Sequence, residues 1–129
     1  MEYFESSRQH LFAELERIDL LIAAQVASFR QNCTEDDQFR GLYIPEEEID
    51  VLLAQPVGLP LWTKTNQSLQ LKFEQLEKIK QENHSRTQKS IDKGIELRLV
   101  QLQKVFGLDH FDIDILLICL AVEVDLRYE

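Results

Sequence analysis

Glycine and proline are scarce in this chain: four and three residues in 129. That scarcity excludes collagen-like and low-complexity chains, and with the dominance of Leu, Glu, Gln, Lys and Ile it favours helix. The glycines Gly41, Gly58, Gly94 and Gly107 are isolated, and no Gly-Lys-Thr or Gly-Lys-Ser follows any of them. A loop-to-helix phosphate cradle is therefore excluded. Cysteine occurs twice, as Cys33 and Cys119, far apart in the chain. Such a pair gives neither a disulfide framework nor a zinc-site spacing, and it reads as two free thiols. Long apolar runs are also missing. The longest, Ile115 to Val122, is eight residues, against the roughly 20 needed to span a bilayer. The first residues, Met1-Glu2-Tyr3-Phe4-Glu5, lack the basic start and apolar core of a signal peptide. Together these points predict a cytoplasmic protein without a membrane partner.

Positive charge is in deficit too, with a net charge of −9. A surface that tracks phosphates needs a basic face, so nucleic acid is not an expected partner. The charge is uneven: residues 1–60 carry a net −8, residues 64–104 a net +4, and residues 105–129 a net −5. The basic middle packs on the acidic ends or faces an acidic partner in two of its readings. A solvated mixed-charge helix is the favoured one.

What is present is helical periodicity. Leu11, Leu15, Ile18, Ile22, Val26 and Phe29 recur at steps of four and three, with Phe4, Leu21 and Ala24 in support. This predicts a long helix from about residue 3 to 32, or a slightly shorter one capped by Ser6 or Ser7. A polar break at residues 32–37 leads to the aromatic-rich connector Phe39-Arg40-Gly41-Leu42-Tyr43-Ile44. Pro45 suits a first helical position, and Glu46, Glu47 and Glu48 complement the helix dipole, so a short helix to about Ala54 follows. The apolar stretch from Gln55 to Trp62 contains two prolines and a glycine and cannot be regular helix.

Leu69, Phe73, Leu76 and Ile79 restart the period. From Gln81 to Ser90 no apolar residue occurs. That stretch is either part of one continuous helix or a loop between two. The preferred reading is a helix to about His84, a break near Ser85–Ser90, and a new helix through Ile91, Ile95, Leu99, Leu102 and Phe106. Gly107 then reads as a left-handed C-cap with Leu108 folding back. Asp109 reads as the next N-cap, with Asp112 at the capping-box position. The last helix, Phe111 to about Val124, is apolar nearly all round, the mark of a core or interface helix. No strand pattern or repeat appears. The expected fold is all-α, a helical bundle of four to six helices with a long N-terminal helix, forming one domain over residues 1–129. The last helix runs to the end without a polar tail, which predicts a chain cut from a longer protein.

No catalytic constellation emerges. His10, His84, His110, Cys33 and Cys119 show no metal-ligand spacing, no Ser or Cys sits in an elbow motif, and consecutive Glu46–Glu48 point in different directions. No catalytic, cofactor-binding or metal-binding residue is expected. Asp112, Asp114, Glu123 and Asp125 flank the last helix; one reading makes them a binding surface, and capping and solubility account for most of them. Phe39, Tyr43 and Trp62 are candidates for a peptide-docking groove, although anchoring of the connectors explains them as well. Ile113, Leu116, Leu117, Leu120 and Val124 are candidate interface residues on the last helix.

Two residue blocks carry a family resemblance. The first joins Phe39 to Ile44, Glu46-Glu47-Glu48, Leu52-Leu53-Ala54 and Gly58-Leu59-Pro60-Leu61-Trp62. The second joins Leu97-Arg98-Leu99, Leu102, Phe106-Gly107-Leu108, Phe111, Asp114-Ile115-Leu116-Leu117, Cys119-Leu120-Ala121, Glu123 and Asp125 to Glu129. Together they resemble the N-terminal region of a group of bacterial AAA-type ATPases, some of which accompany contractile injection systems. There such a helical region precedes a winged-helix-like segment and then the ATPase module. The resemblance implies a parent that uses ATP and magnesium, with its catalytic residues after Glu129. The group usually opens the last helix with Ser-Pro, where this chain has Asp109-His110, and commonly has Pro at the position of Val122. The capping role survives the first change, and the second leaves the helix straighter. The expected function is non-catalytic protein-protein interaction, through a protein partner or the parent's own following domains, including a homo-oligomeric ring. The competing reading is a self-contained oligomerisation module pairing through the stripe from Leu11 to Phe29.

Overall fold

A computed structural model describes residues 2–31, 49–50, 53–54 and 67–125. The described residues form an all-helical bundle with four long helices and no strand: α1 (Ser7–Gln31), α2 (Gln67–Asp92), α3 (Arg98–Phe106) and α4 (His110–Val124). Of the short helix expected up to Ala54, residues 49–50 and 53–54 are described, and the Ala54 N–H donates to the Asp50 carbonyl at 3.1 Å.

Helix α1 is the hub on which α2, α3 and α4 all pack. Its start is later than the periodicity alone suggests. Ser6 is the cap, with its hydroxyl accepting from the Gln9 N–H at 3.3 Å and its carbonyl from the His10 N–H at 3.2 Å. Phe4 thus lies before the helix rather than on its stripe. It is fully buried against the far end of α2, where its N–H donates to Ser90 Oγ at 2.7 Å and the Arg86 guanidinium stacks on its ring at 4.0 Å.

The core joins Leu15 and Ile18 of α1 to Ile113, Leu117 and Ala121 of α4, with Leu11, Ile22, Leu99 and Leu108 packed around it. The i, i+4, i+8 spacing of the three α4 residues puts them on one face. Most of the stripe expected on α1 is therefore used inside the chain. Val26 lies outside this core and is exposed, and the Phe29 side chain lies outside the described residues.

The break expected at residues 85–90 does not occur. Helix α2 runs unbroken from Gln67 to Asp92, and the chain turns at Gly94, whose φ is +76°. The physical reason is that this stretch packs through polar groups. Asn83 and Ser90 are buried. Asn83 Nδ2 donates to the Ala13 carbonyl at 3.1 Å, Thr87 Oγ1 and His10 Nε2 are 3.2 Å apart, and Ser90 Oγ donates to the Arg86 carbonyl at 2.8 Å. Residues 83, 87 and 90 share one face at steps of four and three, and with α1 and the N-terminal segment in place that face needs no apolar residue.

Ser7 holds the following turn. Its hydroxyl donates to the Glu96 carbonyl and accepts from the Arg98 N–H, both at 2.9 Å. It thereby satisfies an orphan donor at the start of α3 that Leu97, at the cap position, cannot reach. Helix α3 ends as the sequence predicts: Gly107 has φ +63°, and the Gly107 and Leu108 N–H groups both reach the Gln103 carbonyl. Asp109 and Asp112 then form a reciprocal capping box, with distances of 2.9 and 3.0 Å.

Candidate functional site

Helix α4 carries two apolar faces. Ile113, Leu117 and Ala121 are buried against α1. On another face Phe111, Ile115, Ile118 and Val122 are 70%, 46%, 41% and 40% exposed. Their spacing of four, three and four residues makes a second stripe, turned by roughly 130° from the buried one. Val105 and Phe106 of α3, just before the Gly107–Asp109 turn, are also well exposed.

Acids flank this outer stripe. At about 100° of rotation per residue, Asp112 and Glu123 fall on one side of it and Asp114 and Asp125 on the other. No Lys or Arg occurs between His110 and Val124. Cys119, an exposed free thiol, lies beside the stripe on the Asp112 side.

Of the residues expected at an interface, Ile113 and Leu117 are interior, Leu120 is half-buried, and Leu116 and Val124 are exposed. Phe39, Tyr43 and Trp62 lie outside the described residues. Sequence reasoning pointed to the helix from Ile113 to Val124 as a surface but did not single out Phe111, Ile115, Ile118 and Val122, which the fold leaves exposed. Their spacing was the available signal. It was hidden because a helix apolar on both faces gives no single direction to read as outward.

A second feature is a cleft of about 370 Å³ lined by His10, Glu14 and Arg17 of α1, His84 of α2, and His110 and Asp114 of α4. All three histidines of the chain meet there. The cleft's strongest charges already satisfy one another. Arg17 Nε donates to Glu14 Oε2 at 2.7 Å and Nη2 to Asp114 Oδ1 at 2.6 Å. Burial lowers the Arg17 pKa, but the bonds and charges of Asp114 and Glu14 outweigh it and leave the guanidinium more firmly protonated than usual. His10 is held below its ordinary pKa of 6.5 by burial first, with Arg86 adding to the depression and Glu14 opposing it. Its Nδ1 is buried without a hydrogen-bond partner among the described residues. No group of three His, Cys, Asp or Glu among the described residues is placed to hold a metal ion. No described helix is long and apolar enough to cross a membrane.

The chain belongs to the winged helix domain family in its variant form: the family model described as "Winged helix domain, variant" matches residues 1–129. The match places the winged-helix name on these residues themselves, where the ATPase resemblance places a winged-helix-like segment after Glu129. No curated protein and no solved structure matches the chain.

Proposed function

We propose that this chain is a non-catalytic, all-α docking domain at the N-terminus of an AAA-type ATPase, and that it works by protein-protein contact through the outer face of α4. One observation carries the reading: α4 has a stripe of four exposed apolar side chains outside the face that packs on α1. Apolar area grouped in this way marks contact surfaces. The link to an ATPase rests on the residue blocks around Phe39–Trp62 and Leu97–Glu129. ATP and magnesium belong to the parent's later modules in this reading, and the compartment is the cytoplasm.

The winged-helix family name raises nucleic acid as an alternative partner. Helices α3 and α4 are joined by a three-residue turn, Gly107–Asp109, the connection length of a helix-turn-helix, whose second helix enters the major groove. The chemistry of α4 argues against that use. It has three acids and no Lys or Arg, and its outward side chains are apolar. Such a helix repels the phosphate backbone.

The test is a photo-reactive amino acid placed at Ile118 of the intact protein in its own cells, with Lys104 as the control position. Protein adducts at 118 and not at 104 are expected. Nucleic-acid adducts at 118, or none at all, overturn the reading.

A further inference from the structure

We infer that the N-terminal segment is a proton-operated latch: protonation of His10 releases Phe4 from its place between α1 and α2 while the helical bundle stays folded. The inference is independent of the docking reading above.

Three side chains meet in a stack. Phe4 is fully buried, with the His10 ring centred 5.1 Å from its own and the Arg86 guanidinium 4.0 Å from it. Arg86 Nε and His10 Nδ1 are both buried without a hydrogen-bond partner among the described residues. A neutral imidazole fits this setting, because Nε2 pairs with Thr87 Oγ1 at 3.2 Å and the ring adds no charge. A protonated ring does not fit. Both of its nitrogens must donate, so Nδ1–H needs an acceptor that the closed stack lacks. Its charge is also buried and acts against that of Arg86. Burial first, then Arg86, disfavours the charged ring, and Glu14 opposes them only in part.

The other charges near His10 give little relief. Glu14 on α1 and Asp114 on α4 are both bonded to Arg17. Glu77 and Lys80 of α2, which line the same cleft, have opposite signs, and α3 contributes no charged group to it. His84 and His110 add only positive charge as the pH falls. In the segment itself Glu2 lies 4.0 Å from Lys89, and Glu5 is exposed.

Relief comes where the structure yields most easily. Helix α2 is tied to α1 beyond this stack, as by Asn83 Nδ2 on the Ala13 carbonyl. The segment has less to hold it. Ser6 caps α1 and the Glu5 N–H is bonded to Gln9 Oε1 at 2.9 Å, so residues 2–4 are the part that swings. Its buried bond is the Phe4 N–H to Ser90 Oγ at 2.7 Å. Breaking that bond and lifting Phe4 lets water reach His10 Nδ1, a local opening that leaves the Leu15–Leu117 core untouched. The opened ring takes up a proton at its ordinary pKa and the closed ring only at lower pH, so acid favours the open form.

The experiment is amide hydrogen exchange by NMR on the intact protein at about pH 7.5 and pH 5.5, both above its pI near 4.8. Each rate is expressed as protection relative to an unstructured chain. Phe4 should be at least about tenfold less protected than Leu117 at both pH values, the mark of local opening. Its protection should fall roughly five- to tenfold between them, the limit set by a ring that titrates near 6.5 once open. His10→Gln should abolish that fall, and the exposed His84→Gln and His110→Gln should keep it. Equal protection at Phe4 and Leu117 means that Phe4 leaves only when the whole bundle unfolds, and overturns the inference. So does a protection that does not change with pH. The chain has three histidines, so loss of the fall in His84→Gln or His110→Gln assigns it to another ring and overturns the inference, even where His10→Gln does not fold.

Discussion

Arg17 Nη2 lies 2.6 Å from Asp114 Oδ1, and this contact ties the first helix of the bundle to the last. Glu14, one turn before Arg17, holds the guanidinium from the other side at 2.7 Å. Arg17 and Glu14 are nearly buried, while Asp114 keeps more water. The three groups stand in for apolar packing along the edge of the Leu15–Leu117 core.

Removing the cation leaves two partly buried carboxylates facing each other. Arg17→Met should therefore cost about 2–3 kcal/mol, although methionine fills much of the same space. Asp114→Asn, at the better-hydrated end, should cost about 1 kcal/mol or less. Urea denaturation of both single variants and the double variant measures this. A coupling near zero between positions 17 and 114 would show that the contact contributes nothing to the α1–α4 pairing.

His10 gives the fold a pH dependence of a definite sign. Its folded-state pKa lies below 6.5, chiefly because burial disfavours the charged ring. The unfolded chain therefore takes up the proton first. The stabilisation is complete above about pH 6.5 and is lost as the pH falls from there through the folded pKa, at up to about 1.4 kcal/mol per pH unit. His10→Gln keeps a partner for Thr87 but cannot titrate. Melting the two proteins at several pH values should show the wild type losing stability faster than the variant below pH 6.5, and parallel behaviour above it.

Ser90 tests whether the polar seam holds the N-terminal segment. Its hydroxyl accepts from the buried Phe4 N–H at 2.7 Å. Ser90→Ala strands that donor at a cost of about 1–2 kcal/mol. Hydrogen exchange should rise at Phe4 and its neighbours, while the amides of α2 near Asn83 keep their protection. Loss of protection along all of α2 would mean instead that Ser90 supports the helix and not the segment docked on it.

The same seam explains where the sequence was readable and where it was not. The end of α3 and the start of α4 could be read residue by residue, because Gly107, Asp109 and Asp112 act on their own backbone neighbours. The overall helical class was readable from periodicity for the same local reason. Residues 83–90 could not be read, since Asn83, Thr87 and Ser90 owe their burial to Ala13, His10 and Phe4, about seventy or more positions away. A search for apolar residues placed a break there and passed over Gly94, the true turn. On α4 the helix was legible, but its orientation was not. Orientation depends on which stripe α1 covers, and Leu15 and Ile18 chose Ile113 and Leu117 over Ile115 and Ile118.

That choice makes two adjacent residues behave in opposite ways. Leu117 is fully buried between α4 and α1, while Ile118, about 100° further round the helix, is 41% exposed. Leu117→Glu puts a charge into the core beside Ile18 and has no cation on α4 to meet it, so it should cost about 4 kcal/mol or more and leave the bundle largely unfolded. Ile118→Glu puts the same charge in water, where the cost is about 0.5 kcal/mol, and should keep the circular dichroism of the parent. It should also lower the binding of any dye that reports exposed apolar surface. The pair separates the roles of the two stripes. If both variants unfold, the outer stripe is part of the fold; if only Leu117→Glu does, Phe111, Ile115, Ile118 and Val122 are free to serve a partner.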